Sequence, residues 1–373
     1  MPCAVPPFDA GHLTLFSPII LSDQRVAVNE SSPAAPSVLS VVLVAGGGLS
    51  SIARTMKHLR SQSARGAMEV IVVAPATDAA AVDALGGGGF AAFRIVVAGP
   101  ITARGEAAAL GILAATSPIV GLIEDHSFPE PEWAASLIRA HAGTWTGVGP
   151  AVENANPNSV MSWVNFILAY GAFAGDVAPG QRELLPWHNS AYKADVLAPF
   201  AARLGELLEW EGMLQDELRA RGHTLYLEPA ARTHHMNVSR LASTLGLNRQ
   251  RGRVLGALRA KREGWPLWRR LLQACAFPLF PALQLRHLTP CINRLVIPSS
   301  LKPRVVLGLL PALVMMAVGE AWGLAFGLGD AITRMEDYEL HRARHLCRSE
   351  RFEMERTEPL HARPNVGLAS TSH

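Results

Sequence analysis

Three consecutive polar residues, Glu124, Asp125 and His126, follow an apolar run of strand length near the middle of the chain. Two carboxylates and an imidazole at one strand end are able to hold a divalent cation. The alternative interpretation is a helix-entry turn that carries solvated acids. The residue types therefore make this triplet the strongest chemical signal in the sequence, and they favour a metal site there.

Three further acidic residues lie close together in sequence, at Glu209, Glu211 and Asp216. A carboxylate held next to a substrate hydroxyl is able to remove its proton as a general base. The alternative interpretation is that all three acids lie on the solvated face of a surface helix. The sequence alone thus leaves both interpretations of these three residues open.

Two histidines and an asparagine complete the set of candidate site residues. His234 and His235 follow a short apolar stretch and could bind phosphate or metal, although such a pair is often structural. Asn189 could contact a ligand, or it could fix the loop that precedes Lys193. A turn at Gly46 could bind phosphate through backbone N–H groups, but the rest of the dinucleotide fingerprint is missing and a tight turn explains it as well.

Alternating strands and helices must position these residues. Continuous apolar runs predict buried strands, and alanine-rich stretches between them predict helices. The alternation predicts an α/β fold with a Rossmann-like, mostly parallel central sheet. Such sheets bind ligands at the carboxyl ends of their strands, which is where the polar triplet falls. The predicted strands cover residues 38–44, 70–73, 93–97 and 119–123, and the clearest helices cover residues 104–115 and 132–142.

Charge is distributed unevenly along the 373 residues, although the net charge is only +3. Residues 240–304 carry thirteen basic side chains and one acidic one, whereas residues 36–239 carry thirteen and eighteen. A basic block of this kind suits either nucleic acid or the anionic face of a membrane. The uncharged stretches beside it favour the membrane, so we expect no nucleic-acid partner.

The longest apolar stretch covers residues 305–328, in which Glu320 is the single charged residue. At a rise of about 1.5 Å per residue, a helix of this length crosses a hydrocarbon core of about 30 Å. Residues 271–285 are also uncharged, but Pro278 and Pro281 favour an interfacial or re-entrant segment over a regular crossing. Buried helices of a soluble domain are the alternative for both stretches.

These patterns predict five consecutive regions and a location. We expect a helical membrane-associated part after the α/β domain, with basic residues on the cytoplasmic side of the cell membrane. No secretory signal precedes the domain, because Asp9 interrupts the start and Arg25 is the first basic residue, so we expect the domain to face the cytoplasm. The regions are a flexible lead-in at 1–36, the domain at 37–239, a basic juxtamembrane region at 240–304, a transmembrane helix at 305–328 and a charged tail at 329–373.

The order of the pieces resembles glycosyltransferase family 2, whose members are inverting enzymes of the GT-A fold that use nucleotide-diphospho-sugars. The resemblance covers about residues 37–235. It rests on an opening strand, turn and helix, an acidic strand end and two later motifs. The matching segments are Leu59-Arg60-Ser61-Gln62, the helix at 104–112, Pro129-x-Pro131-x-Trp133, His188-Asn189-Ser190-Ala191-Tyr192-Lys193 and Glu209-Trp210-Glu211 through Gly222.

The resemblance implies a metal site and a donor site. The Asp-x-Asp motif of the family aligns with Glu124 and His126, and His234 is similar to the histidine that the family places near the diphosphate. Glu124, His126 and His234 are therefore the implied metal ligands. Asp125, Asn189 and His235 are then implied as contacts to the nucleotide-sugar. Because histidine binds transition metals well and magnesium poorly, manganese is the expected ion. The acids that usually end the second strand are replaced here by residues 74–77, with Asp78 the nearest acid.

The resemblance also implies a single displacement with inversion at the anomeric carbon. The catalytic aspartate of the family falls on Glu211, and Glu209 competes with it for the role of base. The expected partners are a nucleotide-sugar donor, the membrane and a lipid-linked or polysaccharide acceptor. Two other classes remain open, namely a noncatalytic membrane scaffold with a degenerate site and a nucleotidyltransferase that shares the sheet.

Overall fold

The computed structural model describes residues 36–77, 82 and 85–355. Almost all of the expected lead-in, the acid Asp78 and residues 356–373 of the expected tail lie outside the described residues. The described part is an α/β domain with one central sheet, and a helical region follows it along the chain. The predicted fold class is therefore confirmed.

The described strands form a single mixed sheet in the order β3-β2-β1-β4-β8-β6-β9-β5, with β7 paired to β9. The first four strands in this order are parallel, as the apolar runs predict. β8 runs antiparallel between β4 and β6, and β5 runs antiparallel to β9. The strands are β1 (Leu39–Val44), β2 (Met68–Ala74), β3 (Ala92–Val97), β4 (Ile119–Ile123), β5 (Ser127–Pro129), β6 (Gly147–Asn154), β7 (Gly180–Arg182), β8 (Ala191–Lys193) and β9 (Leu225–His235).

Helices cover both faces of the sheet and continue to the end of the described chain. Within the domain they are α1 (Ala53–Arg60), α2 (Arg104–Ala114), α3 (Trp133–His141), α4 (Val160–Tyr170), α5 (Ala194–Leu197), α6 (Leu204–Glu209) and α7 (Gly212–Ala220). After the domain they are α8 (Leu241–Arg262), α9 (Leu267–Cys275), α10 (Phe280–Arg294), α11 (Lys302–Phe326), α12 (Ala331–Leu340) and α13 (Arg348–Glu355).

The parallel strands form because their side chains are buried on both faces. In β1, Leu39, Val41 and Leu43 pack into the cluster that contains Met56 of α1. Val42 points the other way, into the cluster that contains the alanines of α2. Since alternate residues of a strand face opposite sides of a sheet, a continuous apolar run is needed to fill both cores.

The two longest helices after the domain, α8 and α11, cross with their backbones in contact. A Cβ atom at Gly319 would lie 1.9 Å from the carbonyl oxygen of Arg249, and one at Gly256 would lie 2.2 Å from that of Glu320. Glycine at these positions is what permits the close crossing. The side chain of Glu320 is buried there and forms an ion pair with Arg259.

The first half of α11 packs against the domain itself. Leu309 and Leu313 share an apolar cluster with Val164 and Phe166 of α4. α11 is the one described helix that is long and apolar enough to cross a membrane, and less than half of its apolar window is buried. The expected transmembrane helix at 305–328 is therefore a helix, and its crossing of a membrane stays a prediction.

Candidate functional site

The polar triplet lies directly after β4 and is buried. Glu124, Asp125 and His126 are each less than a tenth exposed. The chain turns back at once, because the N–H of Ser127 donates to the carbonyl of Glu124 at 3.1 Å and β5 begins there. The short strand β5 then pairs Ser127 with His235 at the end of β9. Two segments that are far apart in sequence thus meet at the carboxyl end of β4.

This pairing brings together a carboxylate and two imidazoles. The ligating atoms of Glu124, His126 and His235 all lie within 4.8 Å of one another, and all three residues are buried. The Nε2 atom of His235 is 3.2 Å from Glu124 Oε2, and the two imidazole rings are 4.8 Å apart between centroids. One carboxylate and two imidazoles form a donor set that suits a divalent transition metal.

Neighbouring side chains fix the orientation of both imidazoles. His126 Nδ1 lies 2.6 Å from Asp125 Oδ1, and His235 Nδ1 lies 3.0 Å from Asn237 Oδ1. Ligating histidines commonly donate their second ring N–H to such an oxygen, which directs the other nitrogen toward the metal. His235 Nε2 is buried and faces Glu124 Oε2 at 3.2 Å without the angle of a hydrogen bond. The residues therefore fit a bound cation.

The electrostatics of the cluster also suit a cation. Burial and the nearby Arg342 hold the pKa of His126 well below its usual range, so its imidazole is neutral. Burial opposes the ionisation of Glu124, but neighbours that include His235 and the charged Arg104 outweigh it and hold the pKa of Glu124 well below its usual range. Metal binding needs both a neutral imidazole and an ionised carboxylate, and the cluster supplies both.

Three further side chains hold the Glu124 carboxylate in place. Arg104 Nη1 donates to Oε1 at 2.8 Å, and Asn189 Nδ2 donates to Oε2 at 2.7 Å. The hydroxyl of Tyr170 reaches Oε2 at 3.3 Å. Asn189 reaches this place because β8, which follows it, pairs with β4. Asn189 thus lies at the expected site, where it contacts the candidate metal ligand.

Asp125 differs from its two neighbours in its ionisation. Burial raises its pKa to about 8, and the carboxyl group holds His126 through the short contact between Oδ1 and Nδ1. The carbonyl of Asp125 also accepts a hydrogen bond from the Thr55 hydroxyl at 2.7 Å. In the described structure, Asp125 positions His126, and its predicted contact to a nucleotide stays a prediction.

The two adjacent histidines lie where the opposite roles were expected. His234, which the resemblance makes a metal ligand, lies outside the cluster and contacts Glu130 Oε1 at 2.9 Å. His235, which was expected to contact the donor, joins Glu124 and His126 instead. Successive residues of a strand face opposite sides, and the pairing of Ser127 with His235 selects the inner one.

Glu211 is completely buried at the start of α7. Its carboxylate accepts hydrogen bonds from the backbone N–H of His188 and from the hydroxyl of Tyr192. Burial raises the pKa of Glu211 to about 7. Glu211 itself does not line the cavity beside Glu124, but His188 does, and His188 Nδ1 lies 3.7 Å from Glu211 Oε2.

The other two acids of this group have different surroundings. Glu209 Oε1 accepts a hydrogen bond from the N–H of Gly105 at 2.9 Å, so it caps the start of α2. Burial and the neighbouring Glu336 raise the pKa of Glu209 to about 8. Asp216 forms an ion pair with Arg219 one turn further along α7. This contact agrees with the interpretation of Asp216 as part of a helix face.

Residues 331–346 near the C-terminus also reach the site, and we call them the C-terminal strap. Glu339 and Leu340 line the cavity together with Arg104, Glu124 and His126, and the cavity has a volume of about 20 Å³. Arg342 Nη2 donates to His126 Nε2 at 2.9 Å. The strap thus forms one wall of the site, whereas the sequence predicted a charged tail in this region.

Several residues at the site were not among the predicted ones. They come from helix ends and from distant parts of the chain, where composition gives no chemical signal. Arg104 had a usable signal, since it begins the helix that follows a predicted strand. The missed residues are Arg104, Tyr170, His188, Glu339 and Arg342.

Comparisons with known proteins give limited similarity. No family model matches the chain, and no curated protein matches it. Residues 1–349 of TarS from S. aureus align with a TM-score of 0.40 and 12% identity, covering 76% of this chain and 90% of that chain. The mannosyltransferase PcManGT from Pyrobaculum calidifontis, in complex with GDP-Man and Mn²⁺, aligns with a TM-score of 0.41 and 14% identity, covering 89% and 88%. Similarity at this level carries no argument about activity.

Proposed function

We propose that this protein is a glycosyltransferase that moves a sugar from a nucleotide-diphosphate donor to an acceptor hydroxyl. The observation that carries the proposal is the buried Glu124, His126 and His235 cluster at the carboxyl end of β4. Ligands of open α/β sheets bind at that edge, and a cation held there lies where a diphosphate can be neutralised. Arg104, at the start of α2, adds a second positive group beside the cluster.

Manganese is the cofactor that we assign to this cluster, because two of its three ligands are imidazoles. Glu124, His126 and His235 would hold the ion, and the ion would stabilise the negative charge of the leaving diphosphate. Asp125 and Asn237 would keep the two imidazoles oriented. We assign His234 no part in metal binding, because it points to Glu130.

We assign the role of general base to Glu211, and the mechanism to a single displacement. The acceptor oxygen forms a bond to the anomeric carbon while the bond from that carbon to the diphosphate oxygen breaks, and the anomeric configuration inverts. The acceptor proton passes to the Glu211 carboxylate, whose pKa of about 7 suits a base at neutral pH. His188 lines the cavity beside Glu124, and its Nδ1 lies 3.7 Å from Glu211 Oε2, so it offers the route for that proton.

Membrane attachment at the cytoplasmic face of the cell membrane is part of the proposal, and it favours a lipid-linked or polysaccharide acceptor. α9, α10, the short turn between them and the outer side of α11 present large apolar side chains to solvent. They are Leu267, Trp268, Leu271, Leu272, Phe277, Leu279, Leu283, Leu307, Leu310, Val314, Trp322 and Phe326. An exposed apolar surface of this extent is typical of a membrane or protein contact. The neighbouring Arg269 and Arg270 complement an anionic lipid surface.

The packing of α11 favours contact along the bilayer surface over a crossing. Its first half contacts α4 of the domain, and its second half contacts α8, which carries Arg249, Arg251 and Arg253. A crossing by α11 would take these neighbours into the hydrocarbon, and charged side chains there are costly, about 2.5–3.5 kcal/mol each on insertion scales. Extraction by alkaline carbonate distinguishes the two modes, since a peripheral protein is released and a spanning one is retained.

Ligand binding by the purified full-length chain tests the proposed activity. Calorimetry with UDP, GDP and their sugar conjugates is expected to give Mn²⁺-dependent affinity for at least one nucleoside diphosphate. Glu124→Gln removes the anionic ligand of the cluster, so it is expected to abolish that dependence. Equal affinity for every nucleotide in Mn²⁺ and in chelator would contradict the proposal.

A further inference from the structure

The C-terminal strap covers the edge of the sheet where the proposed donor would bind. Leu340 lies on the turn after β1, because a Cβ atom added at Gly46 would be 2.5 Å from Leu340 Cδ2. The space that remains beside Glu124 is about 20 Å³. That volume holds about one water molecule. A nucleotide-sugar therefore cannot enter this edge while the strap is in place.

An arginine side chain of the strap contacts the candidate metal cluster. The guanidinium of Arg342 donates to His126 Nε2 at 2.9 Å, on the nitrogen that would bind a metal. Arg342 is 4% exposed and forms an ion pair with Glu339 of the same strap. Since a lone pair that accepts this hydrogen bond is not free for a metal, Arg342 and a cation compete for His126.

Two carboxylates of the strap lie beside the hydrogen-bond donors of the site. Glu339 Oε2 lies 3.4 Å from Arg104 Nη1, which also contacts Glu124. Glu336 Oε2 accepts a hydrogen bond from the backbone N–H of Arg104 at 3.0 Å, at the start of α2. Backbone N–H groups at a helix start and an arginine side chain are groups that bind phosphate. The carboxylates of the strap thus contact the N–H groups that a diphosphate would otherwise bind.

Two glycines precede the strap, and backbone hydrogen bonds hold its far end. Gly327 and Gly329 precede α12 with φ values of 79° and 51°, and such a pair of glycines permits a change of direction. At the other end, the N–H groups of Ser239 and Arg240 donate to the carbonyl of His345 at 3.1 and 3.2 Å. Lifting the strap from the sheet therefore breaks these hydrogen bonds and exposes the buried Ala331 and Leu346.

We propose that the C-terminal strap is an autoinhibitory segment, which occupies the metal and diphosphate positions of its own site through Arg342, Glu336 and Glu339. This inference rests on the proposed function, because it assigns those positions to a metal and a diphosphate. The strap closes the site in the described structure, and Mn²⁺ with a diphosphate displaces it.

Mn²⁺ binding by full-length variants tests the strap without any turnover. Free Mn²⁺ is measured by electron paramagnetic resonance, with and without inorganic pyrophosphate. Arg342→Ala is expected to raise the Mn²⁺ affinity about tenfold, because it removes the competing guanidinium. Arg344→Ala is the matched control, since this arginine lies two residues on, and its side chain is 68% exposed. It is expected to leave the affinity unchanged.

A second variant and a second measurement guard against a folding defect. Leu340→Ala changes no charge but weakens the packing over Gly46, so it is also expected to raise the Mn²⁺ affinity. Hydrogen exchange in the wild type is expected to increase across residues 331–346 when Mn²⁺ and pyrophosphate are added. Unchanged or lower affinity in both folded variants, or increased protection of the strap, would overturn the inference. Sugar transfer is assayed separately, so a failed strap and a failed transferase give different results.

Discussion

Replacing each of the two adjacent histidines in turn gives a sharp test of the metal cluster. His235→Ala removes one of the three clustered ligands, whose Nε2 atom is 3.2 Å from Glu124 Oε2. Loss of such a contact is expected to weaken Mn²⁺ binding at least tenfold, which is about 1.4 kcal/mol of binding free energy. Calorimetry of the full-length chain with Mn²⁺ measures this change, and circular dichroism checks that the variant is folded.

His234→Ala is the matched control, because it removes the same side chain one position earlier on β9. His234 faces Glu130, and an ion pair that is partly exposed is worth about 0–1 kcal/mol of folding stability. We therefore expect Mn²⁺ affinity within about twofold of the wild type, since the removed group is outside the cluster. Equal losses in the two variants, or a loss in His234→Ala alone, would refute the assignment of His235.

Three further predictions concern the base, the pH dependence and the helix crossing. Glu211→Gln should lower turnover about 10²-fold or more at saturating donor, whereas Glu209→Gln should lower it less, and a turnover equal to the wild type would remove Glu211 from the mechanism. Burial raises the pKa of Glu211 to about 7 in the folded state, so its stabilising effect is complete below the unfolded pKa near 4.5 and is lost as the pH rises through 7. Urea titrations from pH 5 to 8 should accordingly show the unfolding free energy of the wild type falling by about 3 kcal/mol relative to Glu211→Gln, and parallel curves would contradict this. Gly319→Ala should destabilise the fold by about 1–3 kcal/mol or more, because its Cβ would lie 1.9 Å from the carbonyl oxygen of Arg249. Gly66→Ala, which has open space around it, should stay within about 0.5 kcal/mol of the wild type in the same thermal or urea assay, and equal effects would contradict the close crossing.

The parallel half of the sheet was predictable because its strands are continuous apolar runs. The predicted strand at 119–123 coincides with β4, and the predicted strand at 93–97 differs from β3 by one residue. The antiparallel strands β5 and β7 were not predicted. Each is three residues long, and three residues are too few to establish a hydrophobic period.

The candidate site was predictable where it is local and not where it depends on pairing. Glu124 and His126 follow one strand, so their proximity is a property of the sequence. The choice of His235 over His234 requires the register of β5 against β9, which the sequence does not contain. Arg342 contacts His126 across 216 residues, and the helical pattern of the strap says nothing about where that helix packs.

The proposed transferase releases a nucleoside diphosphate each time it transfers a sugar. The most direct measurement incubates the full-length protein in detergent with Mn²⁺, a panel of nucleotide-sugars and a membrane lipid extract, and analyses the nucleotide products by chromatography. A nucleoside diphosphate is expected from at least one donor with the wild type, and from none with Glu124→Gln. Inorganic pyrophosphate from a nucleoside triphosphate would instead indicate a nucleotidyltransferase. No product from any donor, in the wild type and in Arg342→Ala alike, would contradict the claim and favour a noncatalytic scaffold.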